Sequence, residues 1–195
     1  MFQKFNRRSI RLPWYDYSEH GFYFVTINTS HYEKIFGSIC NQKMVLDDYG
    51  WIVEKTWDDL PYHYSNLRLD EFIVMPNHIH GIIEIRSADD FASHDSVRAG
   101  LRPAHIDYAY AEREPCDRNH SKWSGHRPAR TGKYALSEII RGFKSYSARK
   151  INILRGSEGF PVWHRNYYEH IIRSQKDLDR VREYIQKNPE NWKMA

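Results

Sequence analysis

Residues 67–85 constrain the fold most. Two apolar, β-branched runs, 67–75 and 78–85, are separated only by Pro76-Asn77, and the simplest way to bury both is an antiparallel hairpin closed by a tight turn. The second arm reads His-Ile-His-Gly-Ile-Ile-Glu-Ile. Side chains two apart on a strand share a face, so His78 and His80 project together while Ile79, Gly81, Ile83 and Ile85 face the other way. Two imidazoles so placed can hold one divalent cation. With eleven histidines in 195 residues, roughly 0.6 His-x-His pairs arise by chance, so the tripeptide alone carries little weight. Its setting carries more. Two imidazoles in a core-like strand cost free energy unless something ligates or hydrogen-bonds them, and a functional site is expected here.

The length suits one domain over 1–195, with a mobile insertion expected at 87–133. Lys and Arg outnumber Asp and Glu by 29 to 25, and the net charge of +4 permits an anionic partner without demanding one. Cys40 and Cys116 form no Cys-x-x-Cys, and the amino terminus lacks a signal-peptide apolar core, which points to a reducing, cytoplasmic setting. No run approaches the about eighteen apolar residues of a membrane span. Aromatic residues make up 15% of the chain, and they serve either a thick core or the stacking of nucleobases.

Residues 22–28 predict a first strand entered through Gly21, and 36–40 a second. A helix opens at Asp47, with Trp51, Ile52, Lys55, Thr56 and Leu60 along its apolar face and Pro61 at its close. From 87 to 133 apolar periodicity is lost, and His94, His105, His120 and His126 read there as solvated loop residues. Periodicity returns over 136–154, where Leu136, Ile139, Ile140, Phe143, Ile151 and Leu154 make one stripe and Arg141, Lys144, Arg149, Lys150 and Arg155 cover other faces. A last helix spans 175–187, with Ser174 and Asp177 at capping-box spacing, Leu178, Val181, Tyr184 and Ile185 inward, and Asn188-Pro189 as the stop.

A metal held by two histidines needs a further ligand and an open position before it can do chemistry. Tyr146 lies beside the apolar stripe on a helix rich in cations, and a tyrosine there could attack a phosphodiester. Its hydroxyl needs help to lose its proton, which a nearby metal or the Lys150 ammonium four residues on could give. By its position alone, Tyr146 reads more readily as a wet tyrosine at the rim of a packed helix.

Tyr23-Phe-Val-Thr-Ile27, Leu69-Asp-Glu-Phe-Ile-Val-Met-Pro-Asn-His-Ile-His-Gly-Ile-Ile83, Phe143-Lys-Ser-Tyr-Ser-Ala-Arg-Lys-Ile-Asn152 and Trp163-His-Arg-Asn-Tyr-Tyr-Glu-His-Ile-Ile-Arg173 stand in that order. Together they resemble the REP-associated tyrosine transposases, members of the HUH single-strand nucleases. The likeness covers nearly the whole chain apart from 87–133. It implies an α+β, ferredoxin-like (RRM-like) antiparallel sheet with helices on one face, and the tyrosine presented to the histidine pair from a helix. It further implies that His78 and His80 bind Mg²⁺ or Mn²⁺ and that Tyr146 attacks single-stranded DNA near palindromic hairpins. The product would be a 5′-phosphotyrosine able to undergo strand transfer.

For the DNA itself, Arg141, Lys144, Arg149, Lys150 and Arg165 are the expected contacts, with Trp163 weighed toward packing. The protein would act as a monomer or homodimer. Relatives often carry Gln or Asn one turn after the tyrosine as third ligand, and here that position is Lys150, whose ammonium cannot ligate a cation. Water, Asn152 or an acid from another element is left to complete the sphere. The departure also keeps open a domesticated, catalytically impaired binder of DNA hairpins. An RNA-binding sheet of the same topology is the third reading, but the aromatic signature of such modules is absent from the candidate strands.

Overall fold

Antiparallel pairing of apolar strands makes the centre of the molecule. The computed structural model describes residues 16–87 and 134–192. Apart from Ser87, the expected insertion at 87–133 and its four histidines lie outside the described residues. In chain order the elements are β1 (Gly21–Asn28), β2 (Gly37–Cys40), β3 (Lys43–Leu46), α1 (Asp48–Asp58), α2 (Leu60–His63), β4 (Leu67–Met75), β5 (His78–Ile85), α3 (Leu136–Leu154), β6 (Tyr168–Ile172) and α4 (Gln175–Gln186). Four strands form one sheet in the order β4-β5-β1-β6, and each neighbouring pair is antiparallel. This is the expected ferredoxin-like α+β arrangement, with β5 and β1 at its centre.

The small β2–β3 hairpin stands apart from this sheet. Asn41 and Gln42 turn it at φ 50° and 62°, the left-handed pair that matches strand twist in a two-residue hairpin. The composition of 43–46 gave no sign of a separate strand, and β6 likewise emerges from a stretch dense in polar and aromatic groups.

Strand alternation divides the sheet into two faces. Tyr23, Val25 and Ile27 of β1, Phe72 and Val74 of β4, and Ile79, Ile83 and Ile85 of β5 share one core with residues of α1 and α3. Asp47 caps α1 by accepting from the Gly50 amide at 2.9 Å. The buried side of α1 runs through Val53, Thr56 and Trp57 and on to Leu60; of the expected face, Thr56 and Leu60 are buried and Ile52 packs partly buried against the core, while Lys55 is exposed. Trp57 decides the difference: its ring lies flat on Phe72 at 4.5 Å and meets Phe143 edge-on at 5.3 Å. A Cβ on Gly81 would come within 2.4 Å of that ring, so glycine is what lets an indole lie on the strand.

The opposite face carries Phe24, Ile73, Met75, Ile82 and Ile172, and α4 covers it with Leu178, Val181 and Ile185. This third packed helix stands on the side of the sheet away from α1 and α3, which corrects the expectation of helices on one face only: α4 carries its own apolar stripe and buries it on the other face. Polar contacts fasten it to both sheet edges. Near its start Asp177 accepts from His170 of β6 at 2.9 Å. Further along, Arg182 grips Asp70 of β4 through two bonds of 2.8 and 2.6 Å, and Gln186 donates to Glu71 at 3.1 Å. Asp70 and Glu71 occupy a bulge, because β4 slips register against β5 between Leu69 and Phe72, and bulges re-aim side chains. Among the described residues no helix is long and apolar enough to cross a membrane.

Candidate functional site

His78 and His80 leave the α4 side of β5, with Asn28 and Thr26 of β1 opposite them. Both rings are tied at Nδ1. His78 Nδ1 lies 2.7 Å from Asn77 Oδ1, and the Asn77 amide nitrogen donates to the Tyr32 carbonyl at 3.2 Å, so the amide oxygen is the atom turned to the imidazole. His78 therefore carries its hydrogen on Nδ1 and leaves Nε2 bare. His80 Nδ1 lies 2.8 Å from Thr26 Oγ1. A hydroxyl both donates and accepts, so Thr26 suits either tautomer of His80.

The two Nε2 atoms converge to 3.1 Å. Burial holds the His78 imidazole down to about 4. Burial, with the neighbouring His78, holds His80 down to about 3. Both rings are neutral at physiological pH, the form that ligates cations. With Nδ1 occupied on each ring and Nε2 converging, the pair fits the nitrogen half of a divalent-cation site. Among the described residues no group of three His, Cys, Asp or Glu side chains gathers into a metal site, so a further ligand drawn from these residues is of another type.

The tyrosine at this pair is Tyr184 of α4. Its hydroxyl lies 3.4 Å from His80 Nε2, and its ring stands edge-on to both His80 at 5.2 Å and Phe24 at 6.0 Å. Phe24 in turn stacks on His80 at 5.4 Å, and Trp192 tilts against His78 at 5.8 Å. Tyr184 was expected to point inward with the apolar stripe. It is 51% exposed, because it sits at the stripe's edge, where a ring can pack while its hydroxyl reaches a polar partner.

Tyr146 is not brought to the histidines, and the expectation that placed it there is corrected by strand parity. Its helix, α3, packs through Ile139, Ile140, Phe143 and Ile151 into the core that holds Ile79 and Ile83, whereas His78 and His80 leave the other side of β5. The Lys150 ammonium lies 4.6 Å over the Tyr146 ring. Asn152, one of the expected third ligands, is also on α3, and its amide nitrogen donates to the Phe160 carbonyl at 2.9 Å.

The other expected DNA contacts lie on α3 and on the segment that precedes β6. Arg141 and Arg149 are exposed on α3. Lys144, Arg149 and Asn152 line a concavity of about 680 Å³ bounded by Phe160 and Trp163. The Lys144 ammonium, its pKa lowered to about 8 by burial, donates to the His164 and Arg165 carbonyls at 2.7 and 2.9 Å. Arg165 is exposed. Trp163 packs as expected, donating from its buried indole to Ser147 at 2.9 Å.

Sequence reading missed Thr26, Asn77 and Tyr184. Thr26 could be found only from the pairing of distant strands. Tyr184 did carry a signal, since Asn188 follows it by four residues, the spacing that Lys150 spoils after Tyr146.

No family model matches the chain. A REP-associated tyrosine transposase bound to a REP hairpin is similar in fold, with a TM-score of 0.54 at 14% identity over 94% of this chain and 73% of that one. An uncharacterized protein of Haemophilus influenzae is 38% identical over 190 residues, which span 96% of this chain and 90% of that protein. The chain therefore belongs to one family with the Haemophilus influenzae protein, and its own fold is transposase-like.

Proposed function

We propose that the protein is a metal-dependent single-stranded DNA transposase or nickase whose nucleophile is Tyr184. One observation carries the reading: the Tyr184 hydroxyl stands 3.4 Å from His80 Nε2, where that nitrogen converges with His78 Nε2. His78 and His80 would hold Mg²⁺ or Mn²⁺ through these nitrogens, and when bound the cation would draw charge from the scissile phosphate. The Tyr184 oxygen gives up its proton and attacks phosphorus in line. A bond forms between that oxygen and phosphorus, the bond from phosphorus to the 3′ oxygen breaks, and the departing 3′ oxygen takes up a proton. The products are a 5′-phosphotyrosine and a free 3′-hydroxyl. Because the covalent link keeps the phosphoester energy, a second 3′-hydroxyl can reverse the step, and cleavage becomes strand transfer.

With Tyr184 in this role, the residue four positions on is Asn188, whose amide oxygen would supply a neutral third donor to the cation. Lys150 then no longer stands at the ligand position and no longer speaks against metal binding. The substrate is single-stranded DNA near a palindromic hairpin, in keeping with the sequence resemblance and with the hairpin held by the fold relative.

The test is a covalent adduct. Labelled single-stranded DNA from around the chain's own gene is incubated with the protein in Mn²⁺ or in EDTA and run on a denaturing gel. The expected adduct needs the metal, disappears in Tyr184→Phe and persists in Tyr146→Phe. Loss in Tyr146→Phe with retention in Tyr184→Phe would overturn the assignment. Tight DNA binding with no adduct in any protein would leave a hairpin binder without chemistry.

A further inference from the structure

Beside the histidine pair two segments form a ledge that the proposed chemistry does not use. The first is the short turn Ser30–Tyr32, in which His31 and Tyr32 both take left-handed backbone, at φ 54° and 58°. Side-chain-bearing residues rarely adopt that region, and two in succession persist only where surrounding contacts hold them. Here the contacts are plain. Thr29 Oγ1 donates to the Glu33 carbonyl at 2.8 Å, the Ser30 amide donates to the Val162 carbonyl at 2.8 Å, and Asn77 donates to the Tyr32 carbonyl.

The second segment is 162–166. Its backbone is fixed from both sides, by the His164 amide donating to Asn28 at 2.8 Å and by the Lys144 ammonium on the next two carbonyls. The ledge carries two flat rings. Tyr32, 60% exposed, stacks on the exposed His164 at 6.3 Å and 27°, and the exposed Arg165 follows at once.

A tyrosine left at the rim by chance has no need of a left-handed turn to present it, nor of hydrogen bonds that stiffen both segments beneath its ring. Two rings tilted 27° to one another, with an exposed arginine next in the chain, match the face of a nucleobase and its phosphate. Location supports the same ligand, because Asn77 joins the two sites with one side chain, donating to Tyr32 and accepting from His78. From these contacts we infer that Tyr32 and His164 form a stacking seat for one unpaired nucleobase of the DNA strand, with Arg165 on an adjacent phosphate. The inference rests on the reading of the histidine pair as a phosphate-processing site. It adds a reason why that site takes single strands: a base within a duplex has no free face to offer.

The experiment uses single-stranded oligonucleotides from the DNA around the gene, with 2-aminopurine walked through successive positions and fluorescence read as protein is added. Wild type and Tyr32→Phe should quench one position strongly. Tyr32→Asn keeps a residue that tolerates left-handed backbone and removes the ring. It should abolish that quench and weaken binding by about ten- to hundredfold. His164→Ala, which leaves the turn untouched, should weaken both in the same direction. Quenching and affinity equal to wild type in folded Tyr32→Asn, or in His164→Ala should Tyr32→Asn not fold, overturn the seat, as does the absence of any quenched position.

The adduct assay on the same strands separates the two readings. A Tyr184-dependent adduct with an unchanged quench in Tyr32→Asn sinks the seat and keeps the nuclease. A quench that depends on Tyr32, with no adduct on any strand, sinks the nuclease and keeps the seat.

Discussion

On one side of β5, Ile79, Gly81, Ile83 and Ile85 lie beneath α1 and α3, with the Trp57 ring filling the space that a Gly81 side chain would occupy. On the other side, one residue out of step, His78 and His80 lie beneath α4 with Tyr184 and Trp192 against them. Both faces exclude water from their centres, but they treat polar groups differently. The first gains stability from apolar area and close ring packing. The second gives up part of that area to two imidazoles and offsets the loss by binding each Nδ1 to a partner. A single strand thus carries a structural face and a chemical face, and the face of each side chain follows from whether its number is odd or even.

The contrast breaks most visibly at Trp57, which is fully buried. Trp57→Ala removes the ring that packs on Phe72 and over Gly81, and no neighbour can collapse into so large a space. A loss of about 3–5 kcal/mol is expected, measured by urea unfolding. The α4 face makes no use of Trp57, so the fraction still folded should form the Tyr184 adduct at the wild-type rate. If adduct formation fell in parallel with a small stability change, the two faces would be coupled rather than separate.

Much of the structural face was legible in the sequence. Residues 67–75, 78–85 and 136–154 were bounded correctly because apolar periodicity, the Pro76-Asn77 turn and the helical stripe all agree there. The His78–His80 pair was legible for the same reason, since parity within one strand is a local property. The tyrosine beside the pair was not. Which helix covers the even-numbered side of β5 depends on strand order, and strand order joins Thr26 to His80 across 54 positions of the chain. Tyr146 and Tyr184 both lie on amphipathic helices, and nothing within either helix says which face of the sheet it will cover. The one local discriminator was the residue one turn on, Lys150 in the first case and Asn188 in the second.

That discriminator gives the next test, which sharpens the division between the faces. Asn188→Ala should weaken Mn²⁺ binding by about tenfold or more, as losses of metal-supporting groups do elsewhere. Lys150→Ala should leave it unchanged. Calorimetric titration of Mn²⁺ into the folded variants reads both. The opposite ordering would return the metal site to the α3 side and undo the reading of the faces.

The smallest expected effect lies in how the chemical face is held in place. Arg182 is two residues before Tyr184 and grips Asp70 with two bonds, so the β4 bulge fixes the stretch of α4 that carries Tyr184. Burial alone would raise the Asp70 carboxyl. The hydrogen bonds from Arg182 and from the Glu71 amide, with the guanidinium charge, outweigh burial and hold it below its ordinary value. A carboxyl so depressed stabilises the fold above its unfolded pKa of about 3.9, and that contribution is lost as pH falls through the lower folded value. The Arg182 side chain is 34% exposed, so solvent screens the pair and Asp70→Asn should cost only about 1 kcal/mol at pH 7. The gap between wild type and variant should stay level down to about pH 4 and close below it. Adduct formation should slow more than the stability loss explains, because a loosened α4 lets the Tyr184 hydroxyl drift from His80. If the rate held while stability fell, the clasp would serve the fold alone, and the aim of Tyr184 would rest on its ring contacts with Phe24 and His80.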